Sequence, residues 1–146
     1  MSIQFFPYIS FPGNGSDAMT YYHEIFGGEL NAMTYGDFPA ESAGEFPFPV
    51  QPDALAHAQL KAGDLRLTGG DAMDADAPGL ESNVYSFLLS PESVEEAEVF
   101  IRKFTSTGGE TVMPFELAPW GSYYGQVRDR FGVLWSFDVE VGHSGP

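Results

Sequence analysis

The sequence predicts an α+β chain built from two copies of one unit: a strand, a helix, a further strand and a β-hairpin. Three observations predict it. Gly27-Gly28-Glu29-Leu30, with Met33 close behind, follows one helix-like pattern, and Gly108-Gly109-Glu110-Thr111, with Met113, follows another. A serine-led helix precedes each Gly-Gly-Glu, and a hairpin closing near a glycine follows each. The length of 146 residues suits one domain of two half-sized modules, expected over about residues 3–71 and 83–141. Such a pairing places any site in the concavity where the two sheets would meet.

The elements can be read in order. Gln4 to Phe11 alternates as a strand, with Phe5, Pro7, Ile9 and Phe11 on one side and Phe6, Tyr8 and Ser10 on the other. Pro7 favours a strand end or an edge. After the turn chemistry of Pro12-Gly13-Asn14-Gly15, Ser16 reads as an N-cap with Asp17 on the positive end of the helix dipole. Ala18, Tyr22, Ile25 and Phe26 form the apolar stripe, and Gly27 or Gly28 stops the helix. Glu29 to Tyr35 is the next strand. The segment from Gly36 to Asp53, with four prolines and three phenylalanines, breaks the pattern and reads as a lid, a binding loop or an aromatic-pinned cap on the core.

Ala54 to Ala62 and Leu65 to Gly69 make a hairpin around Gly63-Asp64. Alternation puts His57, Gln59 and Lys61 on one face with Arg66 and Thr68, and Ala56, Ala58, Leu60, Leu65 and Leu67 on the other. Asp71 to Ser82 reads as the linker. The second module opens with a strand over Asn83 to Leu89 and a helix started by Ser90-Pro91-Glu92. Val94, Ala97, Ile101 and Phe104 repeat at helical spacing. Thr111 to Met113 is a short strand stopped by Pro114. Tyr123 to Val127 and Val133 to Val141 form the last hairpin, and Gly142 to Pro146 a frayed tail.

Composition narrows the function classes. Six basic against 21 acidic residues give a net charge of −15, which opposes nucleic acid and anionic membrane surfaces. Cysteine is absent, so disulfides, thiolate metal sites and cysteine nucleophiles are excluded. The first residues lack a basic, then apolar, leader pattern and no segment reaches membrane-spanning length, so a cytoplasmic location is expected. Aromatics at 15% exceed what a core of this size needs, and some are expected in a ligand cavity or a subunit contact.

The order βαβββ twice resembles the vicinal oxygen chelate superfamily, which includes glyoxalase I, bleomycin-resistance proteins, fosfomycin-modifying enzymes and extradiol dioxygenases. Pro7-Tyr8-Ile9-Ser10-Phe11 leading into Tyr21-Tyr22-His23-Glu24-Ile25-Phe26-Gly27-Gly28 is similar to the PhnB-like branch. So are His57-Ala58-Gln59-Leu60, Gly63-Asp64-Leu65-Arg66-Leu67, Pro119-Trp120-Gly121, and Asp129-Arg130-Phe131-Gly132-Val133-Leu134-Trp135. Together they cover nearly the whole chain. The resemblance implies two modules curled into a cup around a ligand, and a homodimer. It also carries a label, demethylubiquinone methyltransferase-like, that the chain does not support, because no strand, glycine-rich turn and helix follow each other in Rossmann order.

Metal-using members of the superfamily hold the ion with His or Gln on the first strand, Glu on the fourth, His on the fifth and Glu on the eighth. Here those positions fall at Phe6 or Tyr8, at Arg66 or Thr68, near Tyr85, and at Ser136. None is a histidine or a carboxylate, so no metal and no cofactor is expected. The resemblance instead implies a cup lined by Phe6, Tyr8, Tyr85 and Phe87, with His57, Gln59, Arg66 and Ser136 as polar contacts and Trp120 near the mouth or a subunit contact. Such walls suit a small organic ligand. Arg66 is read either as a bidentate clamp for a carboxylate or phosphonate or as an ion-pair partner of Asp71 or Asp138. Two functions follow: a metal-independent small-molecule binder, or a divalent-metal lyase, isomerase or dioxygenase with a site rebuilt around His57.

Overall fold

The computed structural model describes residues 2–38, 51–73 and 77–141. The chain divides into two compact units, Met1–Gly79 and Leu80–Pro146. Module one comprises β1 (Tyr8–Phe11), α1 (Gly15–Phe26), β2 (Glu29–Thr34), β3 (Leu55–Ala62) and β4 (Leu65–Asp71). Module two comprises β5 (Phe87–Leu89), α2 (Val94–Thr105), β6 (Glu110–Leu117), β7 (Ser122–Arg128) and β8 (Leu134–Glu140). Each forms a four-stranded mixed sheet of the same topology, β1-β4-β3-β2 and β5-β8-β7-β6. In each, the first strand runs parallel to the fourth and the other neighbours are antiparallel. The α+β class and the repeated unit are therefore as expected.

Alternation along the strands decides which face the helix covers. In module one, Ile9, Phe11, Ala58, Leu60 and Leu67 are buried with Ala18, Met19, Tyr22 and Ile25 of α1. In module two, Trp135 stacks on Phe104 of α2 with ring centroids 5.6 Å apart, and Phe137 meets the same phenylalanine edge-on at 6.4 Å. The opposite, helix-free faces carry Gln59, Lys61, Arg66 and Thr68 in module one and Gln126 and Ser136 in module two.

Several boundaries differ from the sequence expectation, each for a local reason. The first strand begins at Tyr8 because Pro7 has no N–H to give the ladder, although its carbonyl accepts from the Thr68 N–H and hydroxyl. Helix α1 starts one residue before Ser16, and no side chain of Asn14 caps it. The carboxylate of Asp71 does so from 56 residues away: Oδ1 accepts from the Gly15 N–H at 2.7 Å and Oδ2 from the Leu55 N–H at 2.8 Å. Asp71 therefore ends β4 and is not part of a linker.

Helix α2 is capped by Ser93, not led by Ser90. The Ser93 hydroxyl accepts from the Glu96 N–H at 3.1 Å, and the Glu96 carboxylate reaches back to the Glu92 N–H at 3.0 Å. Ser93-Val94-Glu95-Glu96 has the spacing of a capping box, a stronger start than a serine before proline. Strand β6 continues through Pro114 to Leu117. It lies at the sheet edge and breaks register around Met113, where a missing N–H costs little. Strand β5 is much shorter than Asn83 to Leu89. The Pro/Phe segment lies largely outside the described residues: β2 ends in a 3-10 turn at Tyr35–Asp37, where the Asp37 carboxylate accepts from the Thr34 N–H at 2.8 Å. The tail beyond residue 141 lies outside them entirely.

Candidate ligand-binding faces

On module one the observed register arranges the helix-free face in rows. Arg66 pairs with Lys61, and Lys61 with Glu29. Tyr8 pairs with Thr68, Thr68 with Gln59, and Gln59 with Asn31. Met33 pairs with His57. The Tyr8 ring leans across Gly70, its hydroxyl 2.8 Å from where a Cβ would stand, and stacks on His57 with centroids 6.0 Å apart at 26°. Glycine at position 70 is thus what admits the tyrosine. Burial, and secondarily the Tyr35 phenol, pushes the Tyr8 hydroxyl above the usual tyrosine pKa, so it remains a proton donor into alkaline solution.

The Arg66 guanidinium lies over the Phe6 ring, 4.9 Å from its centroid, and its Nη1 donates to Gln4 Oε1 at 2.9 Å. Neither acid considered from sequence pairs with it. Asp71 is spent on two backbone amides, and Asp138 accepts the Ser122 hydroxyl at 2.8 Å.

On module two a hydroxyl and amide network centres on Ser136, which is 1% exposed. Its Oγ lies 2.5 Å from Ser86 Oγ and accepts from the Tyr124 hydroxyl at 3.1 Å. Gln126 Nε2 donates to the Tyr124 oxygen at 3.1 Å and to Ser136 Oγ at 3.4 Å. Trp120 meets Tyr124 edge-on at 6.1 Å, which attaches the tryptophan to the rim of this network.

Phe87 requires correction. Phe87 pairs in register with Trp135, not with Ser136, and meets the Trp135 ring edge-on at 5.5 Å. It therefore lies half-buried on the α2 side of the sheet, whereas Tyr85, in ring contact with it at 6.4 Å, stands before β5 and is 65% exposed. Leu88 is the β5 residue that faces with Ser136. A shift of one residue in a period-two strand exchanges its faces. Sequence reading missed Ser86 and Gln126 as members of the network. The signal lay in the last hairpin, whose register sets Gln126 opposite Ser136 and Tyr124 opposite Asp138.

A separate open depression of about 360 Å³ in module two is lined by Glu81, Glu110, Arg128 and Arg130, among others. Its polar groups brace a loop. Arg128 donates to Gly132 O and to Asn83 Oδ1, and Asp129, 4% exposed, accepts the N–H groups of Phe131, Val133 and the Trp135 indole.

The family model of the glyoxalase/bleomycin resistance protein/dioxygenase superfamily matches residues 8–137. The chain belongs to this superfamily. It is 34% identical over 142 residues to protein YjdN of Escherichia coli (strain K12), an alignment covering 91% of this chain and 92% of that one. Among solved structures, protein PA1353 from Pseudomonas aeruginosa matches with a TM-score of 0.74 and 33% identity, over 95% of this chain and 98% of that one. The PhnB protein from Bacillus cereus, described as a putative 3-demethylubiquinone-9 3-methyltransferase, matches with a TM-score of 0.69 at 18% identity, covering 94% and 99%. The last of these shows the fold alone.

Superfamily members that use a divalent ion bind it with imidazole and carboxylate. The observed register puts Tyr8 beside Thr68 on strands one and four, and Leu88 beside Ser136 on strands five and eight. A phenol, two alcohols and an aliphatic chain do not suit that ion. Among the described residues no three His, Asp or Glu side chains converge to hold one. His57 stands across from Met33 and stacks on Tyr8, without a carboxylate at either contact.

Proposed function

We propose that this protein binds a small organic molecule through the helix-free faces of its sheets, without the family's metal ion. The observation that carries this reading is the Ser86–Ser136–Tyr124–Gln126 network. It is a preformed set of neutral donors and acceptors, buried at Ser136 and half-buried at the other three, on a face that no helix covers. Hydrogen-bonding groups already fixed by one another cost little to order when a ligand arrives. Tyr8, His57, Gln59 and Arg66 offer a second set on module one, and Phe6 supports Arg66. Apolar walls with a few oriented polar groups are the usual make-up of small-molecule sites.

We further propose a cytoplasmic homodimer. A cysteine-free chain needs no oxidising compartment, and Trp120 and Leu117, 69% and 59% exposed around the β6–β7 turn, offer apolar area to a second copy. No helix among the described residues is long and apolar enough to cross a membrane.

The test is a thermal-shift screen of a metabolite library against the intact chain and Gln126→Ala, alongside elemental mass spectrometry of tag-free protein. The expected result is ligands that raise Tm for the native chain and do so less for the variant, with metal well below one equivalent. One equivalent of a divalent metal, lost in His57→Ala, would overturn the metal-free reading. A library without a single stabilising compound would overturn the binding reading. Light scattering of the purified chain tests the dimer.

A further inference from the structure

We infer that the helix-free face of module one is built for a ligand with an anionic group at one end and a flat ring at the other, an arylalkanoate in class; this rests on the small-molecule reading above. The first 79 residues hold eleven acidic residues and two basic ones, Lys61 and Arg66. Those two cations stand directly opposite each other on neighbouring strands. Like charges so placed repel. Neither forms an ion pair among the described residues. Glu29 on β2 stands directly opposite Lys61, on the side away from Arg66, and its carboxylate accepts the Asn31 amide at 3.3 Å.

Arg66 is held in a particular pose. Phe6 fixes the plane of the guanidinium and Gln4 occupies Nη1, so the edge formed by Nη2 and Nε has no partner among the described residues. That edge carries two parallel N–H groups, the arrangement that fits a carboxylate bidentately. Gln4 and Phe6 are neutral and leave the charge uncompensated.

The next row along the strands, about 7 Å away, holds Tyr8, Thr68 and Gln59. Thr68 is turned inward to Pro7 O, which leaves Gln59 as the polar group between the cations and the rings. Beyond it lie the Tyr8 and His57 rings, with Met33, 43% exposed, beside His57. Two near-parallel rings and a thioether make a soft, flat platform for an aromatic group. The rings thus stand two rows from the cations, about 14 Å along the strands, a span that suits a spacer of about seven carbons between ring and carboxylate.

Isothermal titration with 8-phenyloctanoate, 8-phenyloctanamide and octanoate, with backbone amide shift mapping on the intact chain, tests this. Phenyloctanoate is expected to bind at least tenfold tighter than either of the others and to shift Tyr8, His57, Lys61 and Arg66. Arg66→Gln should lower phenyloctanoate to the level of its amide while leaving the amide unchanged, and Tyr8→Ala should weaken both aromatic ligands. If Arg66→Gln does not fold, Arg66→Lys, which keeps the charge and loses the fork, should cost phenyloctanoate several-fold. Equal binding of acid and amide, or shifts confined to other residues, would overturn the proposal. Should library compounds still bind in that case, the small-molecule reading stands; should none bind, both fall.

Discussion

The two modules share a topology and hold their helices by opposite means. Helix α1 buries Gly15, Ala18, Met19, Tyr21, Tyr22 and Ile25, yet its first turn has no local side-chain cap and takes one from β4. Helix α2 buries Ala97 and Phe104 alone, but carries its own cap at Ser93, acids in its first turn and Arg102 and Lys103 in its last. One helix is fastened by its broad apolar face, the other by its ends and one aromatic ring. Similar sheets can therefore be completed by helices whose stability comes from different physics.

Substitutions can break this contrast. Phe104→Ala should be the most damaging, since it removes the ring on which Trp135 and Phe137 pack; a loss of about 3–5 kcal/mol in urea unfolding is expected. Asp71→Ala should cost module one about 1–3 kcal/mol, because the Gly15 and Leu55 amides lose their acceptor. Hydrogen exchange should quicken at those two amides in particular. Ser93→Ala should cost about 1 kcal/mol and fray α2 from its start, while Ser16→Ala should leave α1 unaffected by circular dichroism. An equal loss in the two serine variants would erase the distinction between distant and local capping. Smallest of all, Gln126→Ala should barely move stability, since its amide serves the half-buried network and not the core.

The helix-free faces diverge too. Module two presents interlocked neutral groups around Ser136, whereas module one presents charge at one end and rings at the other. Three pairs of positions nonetheless correspond. Gln59 beside Thr68 matches Gln126 beside Ser136, and Tyr8 beside Thr68 matches Leu88 beside Ser136.

Much of this was legible from residue types alone. Period-two alternation put His57, Gln59, Lys61, Arg66 and Thr68 on one face, and the observed pairing agrees. The Gly-Gly-Glu repeats marked the ends of both helices. Phe87 was misplaced because three paired residues give too short a run for alternation to register, and its large ring suited either face. The cap of α1 could not be read because its donor and acceptor lie 56 residues apart. Pro114 read as a stop because edge and interior strands look alike until their neighbours are known.

Asp71 has a consequence for how the chain comes off the ribosome. Synthesis proceeds from the N-terminus, so α1 emerges long before the residue that ties down its first amide. Until β4 has been made and has joined β1, the opening turn of α1 has only water to bond. A nascent chain halted before position 71 would expose that turn to proteases, and one long enough for Asp71 to have left the ribosome would have the acceptor that closes it.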